Sequence, residues 1–111
     1  MADEVHVNDV GTEWRIRCLD RGVPFDPTPA EVTEIIFKMP QGVVVKDADV
    51  FQDGADWFLI YVAEEGFQSQ VGKVSLQAHV VFGDGTEYHS DIKTTDEAGN
   101  ELRIHKNLEV I

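Results

Sequence analysis

The stretch that decides the fold is the longest alternating run in the chain, Lys73-Val74-Ser75-Leu76-Gln77-Ala78-His79-Val80-Val81-Phe82. Apolar side chains occupy every second position from Val74 to Phe82, and Ser75, Gln77 and His79 lie between them. Since successive side chains of a strand point to opposite faces, a period of two predicts a strand with one buried and one wet face. We therefore expect a core strand here.

The residues after this run predict a hairpin. Gly83-Asp84-Gly85 has turn chemistry, and an apolar-alternating segment follows from Thr86 to Ile92. A three-residue loop centred on Asp84 fixes the register of the two strands. That register predicts four pairs on the apolar face: Phe82/Thr86, Val80/Tyr88, Ala78/Ser90 and Leu76/Ile92.

Working outward, similar short runs are separated by turn residues at 12–19, 34–39, 43–46, 49–52 and 57–62. Three prolines between residues 23 and 30 predict an extended edge or loop. The pattern predicts an all-β fold, an immunoglobulin-like antiparallel β-sandwich of seven or eight strands, with a small β-barrel as the alternative. We expect this domain at 1–93, followed at 94–111 by an acidic loop and a C-terminal strand or arm that packs on the same domain or on a neighbour.

Length and composition narrow the class of protein. With 111 residues the chain fits one domain, and 42% hydrophobic residues are enough for a folded core. Nine basic against twenty-one acidic side chains give a net charge of −12, which repels a phosphate backbone and argues against nucleic acid as a partner. No apolar run approaches the roughly 18 residues of a membrane span, so no membrane insertion is expected.

The lone cysteine, Cys18, excludes an internal disulfide. It shares a strand face with Trp14 and Ile16, which predicts a buried, inert thiol. The other strand aromatics are also expected in the core, among them Trp57, Phe37 and Tyr88, whereas Phe58 and Phe67 are better candidates for a contact surface. The chain has no phosphate-binding glycine loop, no Gly-x-Ser-x-Gly elbow and no Cys-His pairing at motif spacing, so catalysis is not predicted.

A histidine pair is a candidate metal site. The hairpin register places His79 opposite His89 on the wet face, with Gln77 and Asp91 as the next pair along. Two imidazoles and the Asp91 carboxylate are groups that bind a transition metal or sense pH. Because such sites usually need four ligands, an exposed polar ladder without a metal or cofactor is favoured. The acidic loops lack EF-hand spacing, and solvated charge is favoured over calcium there.

Three segments in order resemble a known family. They are Gly11-Thr12-Glu13-Trp14-Arg15, then Ile35-Ile36-Phe37-Lys38-Met39-Pro40-Gln41-Gly42, then Gln77-Ala78-His79-Val80 followed by Tyr88-His89-Ser90-Asp91-Ile92. Together they resemble the immunoglobulin-like domain at the N-terminus of baseplate upper proteins of tailed phages. The resemblance spans about residues 5 to 92. Beyond Ile92 the chain departs from it, and the long downstream region of a baseplate arm is not present.

The resemblance implies a non-enzymatic virion structural protein of the tail, baseplate or collar, assembled in the host cytoplasm, with other virion proteins as partners. It acts in assembly or in contact with the host surface. The alternatives are a head decoration protein, a homo-oligomer, a free module that binds host-surface carbohydrate, and a metal-dependent enzyme or calcium-regulated domain. Apolar residues near the C-terminus are expected to bind a partner by adding a strand to its sheet: Leu102, Ile104, Leu108, Val110 and Ile111.

Overall fold

A computed structural model of the chain describes residues 5–96 and 99–105. Twelve strands are assigned in these ranges, and four of them have only two residues, so eight longer strands remain. In chain order they are β1 (Val5–His6), β2 (Glu13–Arg17), β3 (Leu19–Asp20), β4 (Val23–Pro24), β5 (Ala30–Met39), β6 (Gly42–Asp47), β7 (Asp49–Asp53), β8 (Asp56–Val62), β9 (Gly72–Lys73), β10 (Ser75–Phe82), β11 (Glu87–His89) and β12 (Arg103–His105).

Two antiparallel sheets form the layers of the fold. One has the strand order β11-β10-β5-β6 and the other β2-β8-β7, and they face each other through β5 against β8 and β10 against β2. Two small sheets flank them, β3-β4 and β1-β12-β9, the second with a parallel β1–β12 pair. The fold is therefore the all-β sandwich that the alternation predicts. No helix in the described ranges is long and apolar enough to cross a membrane.

The core lies between the two layers and follows the period of two. Along β10, Leu76, Ala78 and Val80 are buried. Trp14 and Ile16 on β2 fill the opposite side, and Cys18 beyond them is also buried, as its position on this face predicts. Core alternation on both layers thus fixes which face of each strand meets solvent.

Four aromatic rings occupy one end of the core. The Phe37 ring centroid lies 5.8 Å from that of Trp14, 5.7 Å from that of Tyr61 and 4.8 Å from that of Phe67, each nearly edge to face. Such ring pairs contribute about 0.5–1.5 kcal/mol beyond the area they bury. The prediction that Phe67 belongs to a contact surface is wrong, because its side chain is buried in this cluster.

The β10–β11 hairpin keeps the predicted register as far as Ser90. Val80 pairs with Tyr88, and the Phe82 N–H donates to the Thr86 carbonyl at 2.8 Å. Beyond Ser90 the predicted pair Leu76/Ile92 is wrong, since Leu76 pairs with Lys93. Ser90 causes the shift: its Oγ accepts the Ala78 N–H at 2.8 Å.

Two residues on the second strand of the predicted hairpin are more exposed than expected. Ile92 is 62% exposed as a result of the one-residue shift, and Tyr88 is 39% exposed where a core position is predicted. The Tyr88 ring lies outside the core, stacked on Phe25 with centroids 5.6 Å apart. Trp57 is only partly buried, at the rim of the core.

Candidate functional site

The predicted histidine pair forms. His79 on β10 lies opposite His89 on β11, with the rings stacked at a centroid distance of 4.4 Å and an angle of 19°. Two carboxylates hold the His79 ring: Nδ1 lies 2.6 Å from Glu34 Oε1 and Nε2 lies 2.8 Å from Glu87 Oε1. Carboxylate oxygens only accept hydrogen bonds, so both ring nitrogens donate and the ring is favoured as the imidazolium.

Electrostatics agree with this protonation state. The hydrogen bond to Glu34 is the largest cause that raises the pKa of His79, the Glu87 bond raises it further, and partial burial opposes both. The cluster therefore joins β5, β10 and β11 on the outer face by charge-assisted hydrogen bonds. These bonds weaken when the ring loses its proton, which makes the cluster sensitive to pH.

Asp91 does not join the histidines. Its carboxylate accepts the backbone N–H groups of Arg21 at 2.9 Å and Gly22 at 2.8 Å, in the turn between β3 and β4. The predicted Gln77/Asp91 pair is therefore absent, and Gln77 donates instead to the Ser90 carbonyl. Across residues 5–96 and 99–105, no group of three or more His, Cys, Asp or Glu side chains is placed to hold a metal ion.

The C-terminal partner candidates divide into two groups. Ile104 is fully buried in the middle strand of the β1-β12-β9 sheet, and Leu102 packs partly buried against the core. Both edges of β12 already carry strands of the same chain, so the described part of the arm cannot add to another sheet while it stays in place. Leu108, Val110 and Ile111 lie outside the described residues.

A surface that sequence reasoning missed lies on the outer face of the three-stranded sheet. Arg17, Phe58 and Phe51 pair directly across β2, β8 and β7, so their side chains form one row. Arg15 lies next to the row. We call these four residues the arginine–phenylalanine face.

Ring and guanidinium contacts organise this face. The Arg17 guanidinium carbon lies 5.4 Å from the Phe58 ring centroid and that of Arg15 lies 6.0 Å from it. The Phe51 and Phe58 rings are 6.3 Å apart, and 42% of Phe51 is exposed. Among the described residues, the ionic contact of Arg17 is a long one, 3.9 Å to Asp56, and half of its side chain is exposed. The guanidiniums are therefore positioned by the ring and remain accessible to a partner.

Part of this face is visible in the sequence. Alternation in 14–18 places Arg15 and Arg17 on the wet side, and Phe58 is predicted as a contact residue. Their alignment with Phe51 depends on the pairing of β2 with β8, in which the paired residues are 41 or more positions apart. No local pattern contains that register.

A second open feature is the outer side of β6 and of β7, two of the four edge strands of the main sheets. β6 ends the four-stranded sheet and β7 ends the three-stranded sheet, and no other described strand pairs with their outer sides. Val43 and Val45 on β6 are 67% and 49% exposed. Exposed apolar edge strands are surfaces to which another strand can add.

A cleft of about 610 Å³ opens beside Thr94, Thr95, Gly99 and Glu101, and Lys38 and Lys73 also contribute to its wall. Two of its charged groups bind each other: Lys73 Nζ lies 3.4 Å from Glu101 Oε2, and Arg103 binds the other oxygen of the same carboxylate at 2.8 Å. These ion pairs are exposed to solvent and contribute little to the stability of the fold. None of the described residues in its wall is a buried polar group.

Cys18 carries no reactive chemistry. It is fully buried, and desolvation raises the pKa of its thiol to about 12, with the negative charge of Asp26 adding to the effect. A thiol with this pKa is protonated at neutral pH and is a poor nucleophile.

No family model, no curated protein and no solved structure matches the chain.

Proposed function

We propose that this chain is a non-catalytic, immunoglobulin-like interaction module of a tailed-phage particle, and that it binds a neighbouring virion protein through the arginine–phenylalanine face. The phage context rests on the resemblance of residues 11–15, of 35–42, and of 77–80 followed by 88–92. The choice of face rests on its geometry.

The observation that carries the proposal is the row of Arg17, Phe58 and Phe51 on the outer face of the three-stranded sheet. Aromatic and arginine side chains are enriched in protein interfaces and supply most of their hot spots. Here they stand on paired strands, and the guanidiniums already lie over a ring. Little side-chain entropy is lost on binding when the contact residues are held this way.

The chemistry of the face indicates the chemistry of its partner. Arg15 and Arg17 bring two positive charges together in a chain whose net charge is −12. A partner that fits offers carboxylates to the guanidinium groups and an apolar patch to Phe51. Binding is then weakened by added salt, because the charge contacts lie at a solvent-accessible surface.

Gold-labelled antibody imaging of particles from the source lysate tests the phage assignment. Label at the tail, baseplate or collar supports the proposal, and label over the head supports its head-decoration form. Particles that carry no label would overturn it. A free carbohydrate-binding module would then be the better hypothesis, and glycan binding by the isolated chain would support that hypothesis.

Variants test the face itself. Particles made with Phe51→Ser or Arg17→Ser should carry several-fold less of the protein, since truncating a hot-spot residue costs about 2 kcal/mol or more. Val23→Ser is the matched control, because Val23 is 64% exposed on β4, which is not part of the face. Equal incorporation of all three variants would exclude this face as the contact.

A further inference from the structure

We propose that two copies of this chain pair through β6, antiparallel and about a two-fold axis at Val44, to form one continuous sheet across both copies. This inference is independent of the arginine–phenylalanine face. It depends on the open edge of β6, on the direction of its main-chain groups, and on the self-complementarity of its sequence.

Main-chain hydrogen bonding sets the direction of the free groups. The Ala48 N–H donates to the Thr33 carbonyl at 3.0 Å, and the β5–β6 register continues without a shift from Asp47 to Gly42. In an antiparallel pair, every second residue bonds the neighbouring strand and the residues between face away. Val43 and Val45 therefore direct their N–H and C=O groups to the open side.

The same two residues offer side chains. Val43 and Val45 are 67% and 49% exposed on the outer face, while Val44 turns inward and packs against the core. Residues that carry free main-chain groups thus also carry exposed apolar side chains. A strand that pairs here gains hydrogen bonds and cross-strand apolar contacts from the same positions.

A two-fold axis at Val44 satisfies both requirements at once. It places Val43 of each copy opposite Val45 of the other. Both valine pairs then exchange main-chain hydrogen bonds, and their side chains lie on the same face of the sheet. Lys46 then lies opposite Gly42 of the second copy, and no like charges are opposed. The Lys46 side chain points inward, with Nζ 5.9 Å from the Tyr61 ring centroid, so its charge lies away from the valine pairs on the outer face.

The β7 edge does not allow the same pairing. A two-fold axis at Phe51, the midpoint of β7, places Asp49 opposite Asp53 of the second copy at both ends. Like charges directly opposite each other destabilise a sheet. The sequence of β6 is therefore compatible with pairing to a second copy of this chain, whereas charge repulsion disfavours the same pairing through β7.

Sedimentation equilibrium of the full 111-residue chain tests the pairing. We expect a reversible monomer–dimer equilibrium in which the dimer fraction rises with protein concentration. Each copy carries a net charge of −12, so raising the salt to about 0.5 M should strengthen the dimer by screening repulsion. A chain that stays monomeric at high concentration in that salt would overturn the proposal.

Val45→Pro is the decisive variant, because it removes a donor that faces the open side and leaves the β5–β6 hydrogen bonds intact. It should raise the dissociation constant of the dimer about tenfold or more. Val45→Lys, a charge on the same edge, should do the same if the proline variant fails to fold. A dimer that persists in every folded variant would show that another surface joins the copies.

Val50→Pro on β7 is the matched control. The Asp53–Asp56 pair closes the turn of the β7–β8 hairpin, so Val50 faces its own open edge as Val45 does. We expect this variant to dimerise like the parent chain. Loss of the dimer in Val50→Pro but not in Val45→Pro would assign the contact to β7 and overturn the proposal.

Discussion

Gln68 is the position where one substitution tests the packing most sharply. It is fully buried, and both ends of its amide are used. The Trp14 Nε1–H donates to Gln68 Oε1 at 3.0 Å, and Gln68 Nε2 donates to the His6 carbonyl at 2.8 Å. Gln68→Leu keeps a similar volume and removes both hydrogen bonds.

The expected loss follows from those two partners. Trp14 is 3% exposed, so its N–H has little access to water, and leaving a buried donor unsatisfied costs about 1–3 kcal/mol. The bond to the His6 carbonyl is only part-buried and adds about 0.5–1.5 kcal/mol. We expect Gln68→Leu to lower the free energy of unfolding by about 2–4 kcal/mol.

Urea denaturation of four variants measures this. Gln70→Leu is the matched control, because Gln70 is exposed and should change stability by less than about 0.5 kcal/mol. Combining Gln68→Leu with Trp14→Phe, which removes the donor, completes a double-mutant cycle, and the coupling should be about 1–2 kcal/mol. Additive single effects, or equal losses at positions 68 and 70, would refute the reasoning.

Two further predictions concern titratable groups. The folded-state pKa of His79 is raised, so protonated His79 stabilises the fold. This contribution is fully present below the unfolded pKa near 6.5 and is lost as pH rises through the folded-state pKa. His79→Gln should therefore cost more stability at pH 5.5 than at pH 9, and a pH-independent cost measured by denaturation would contradict this. Cys18, buried with a pKa of about 12, should react with a thiol reagent at pH 8 only after unfolding, and rapid labelling of the native chain would count against it.

Local patterns predict the fold well because a period of two fixes the buried face of a strand without knowledge of its neighbours. The run through Leu76 to Val80 and the turn at Asp84 determine the His79–His89 pairing, since both strands and the loop are contiguous in sequence. The prediction fails where a side chain replaces a main-chain group. The Ser90 hydroxyl takes the hydrogen bond of Ala78, and no alternation pattern signals that substitution.

Non-local pairing explains what the sequence did not predict about the site. An alternating piece such as 102–105 reads the same whether it closes its own sheet or joins a neighbour's, and only the positions of β1 and β9 show that Ile104 closes its own. The role of Gln68 is equally unpredictable from the sequence, because nothing in the polar stretch around it distinguishes it from Gln70. Its role depends on Trp14, 54 positions earlier.

The two proposed contacts are compatible in one molecule and separable by experiment. β6 belongs to the four-stranded sheet, whereas the arginine–phenylalanine face is the outer side of the other layer, so pairing at β6 uses none of its residues. A dimer then presents two copies of the face. A particle with repeated partners would bind the dimer more tightly than a single copy, because the second site binds intramolecularly. Added salt strengthens contact between two copies of an acidic chain and weakens contact of Arg15 and Arg17 with carboxylates. Opposite salt dependences therefore assign a measured association to one surface or the other.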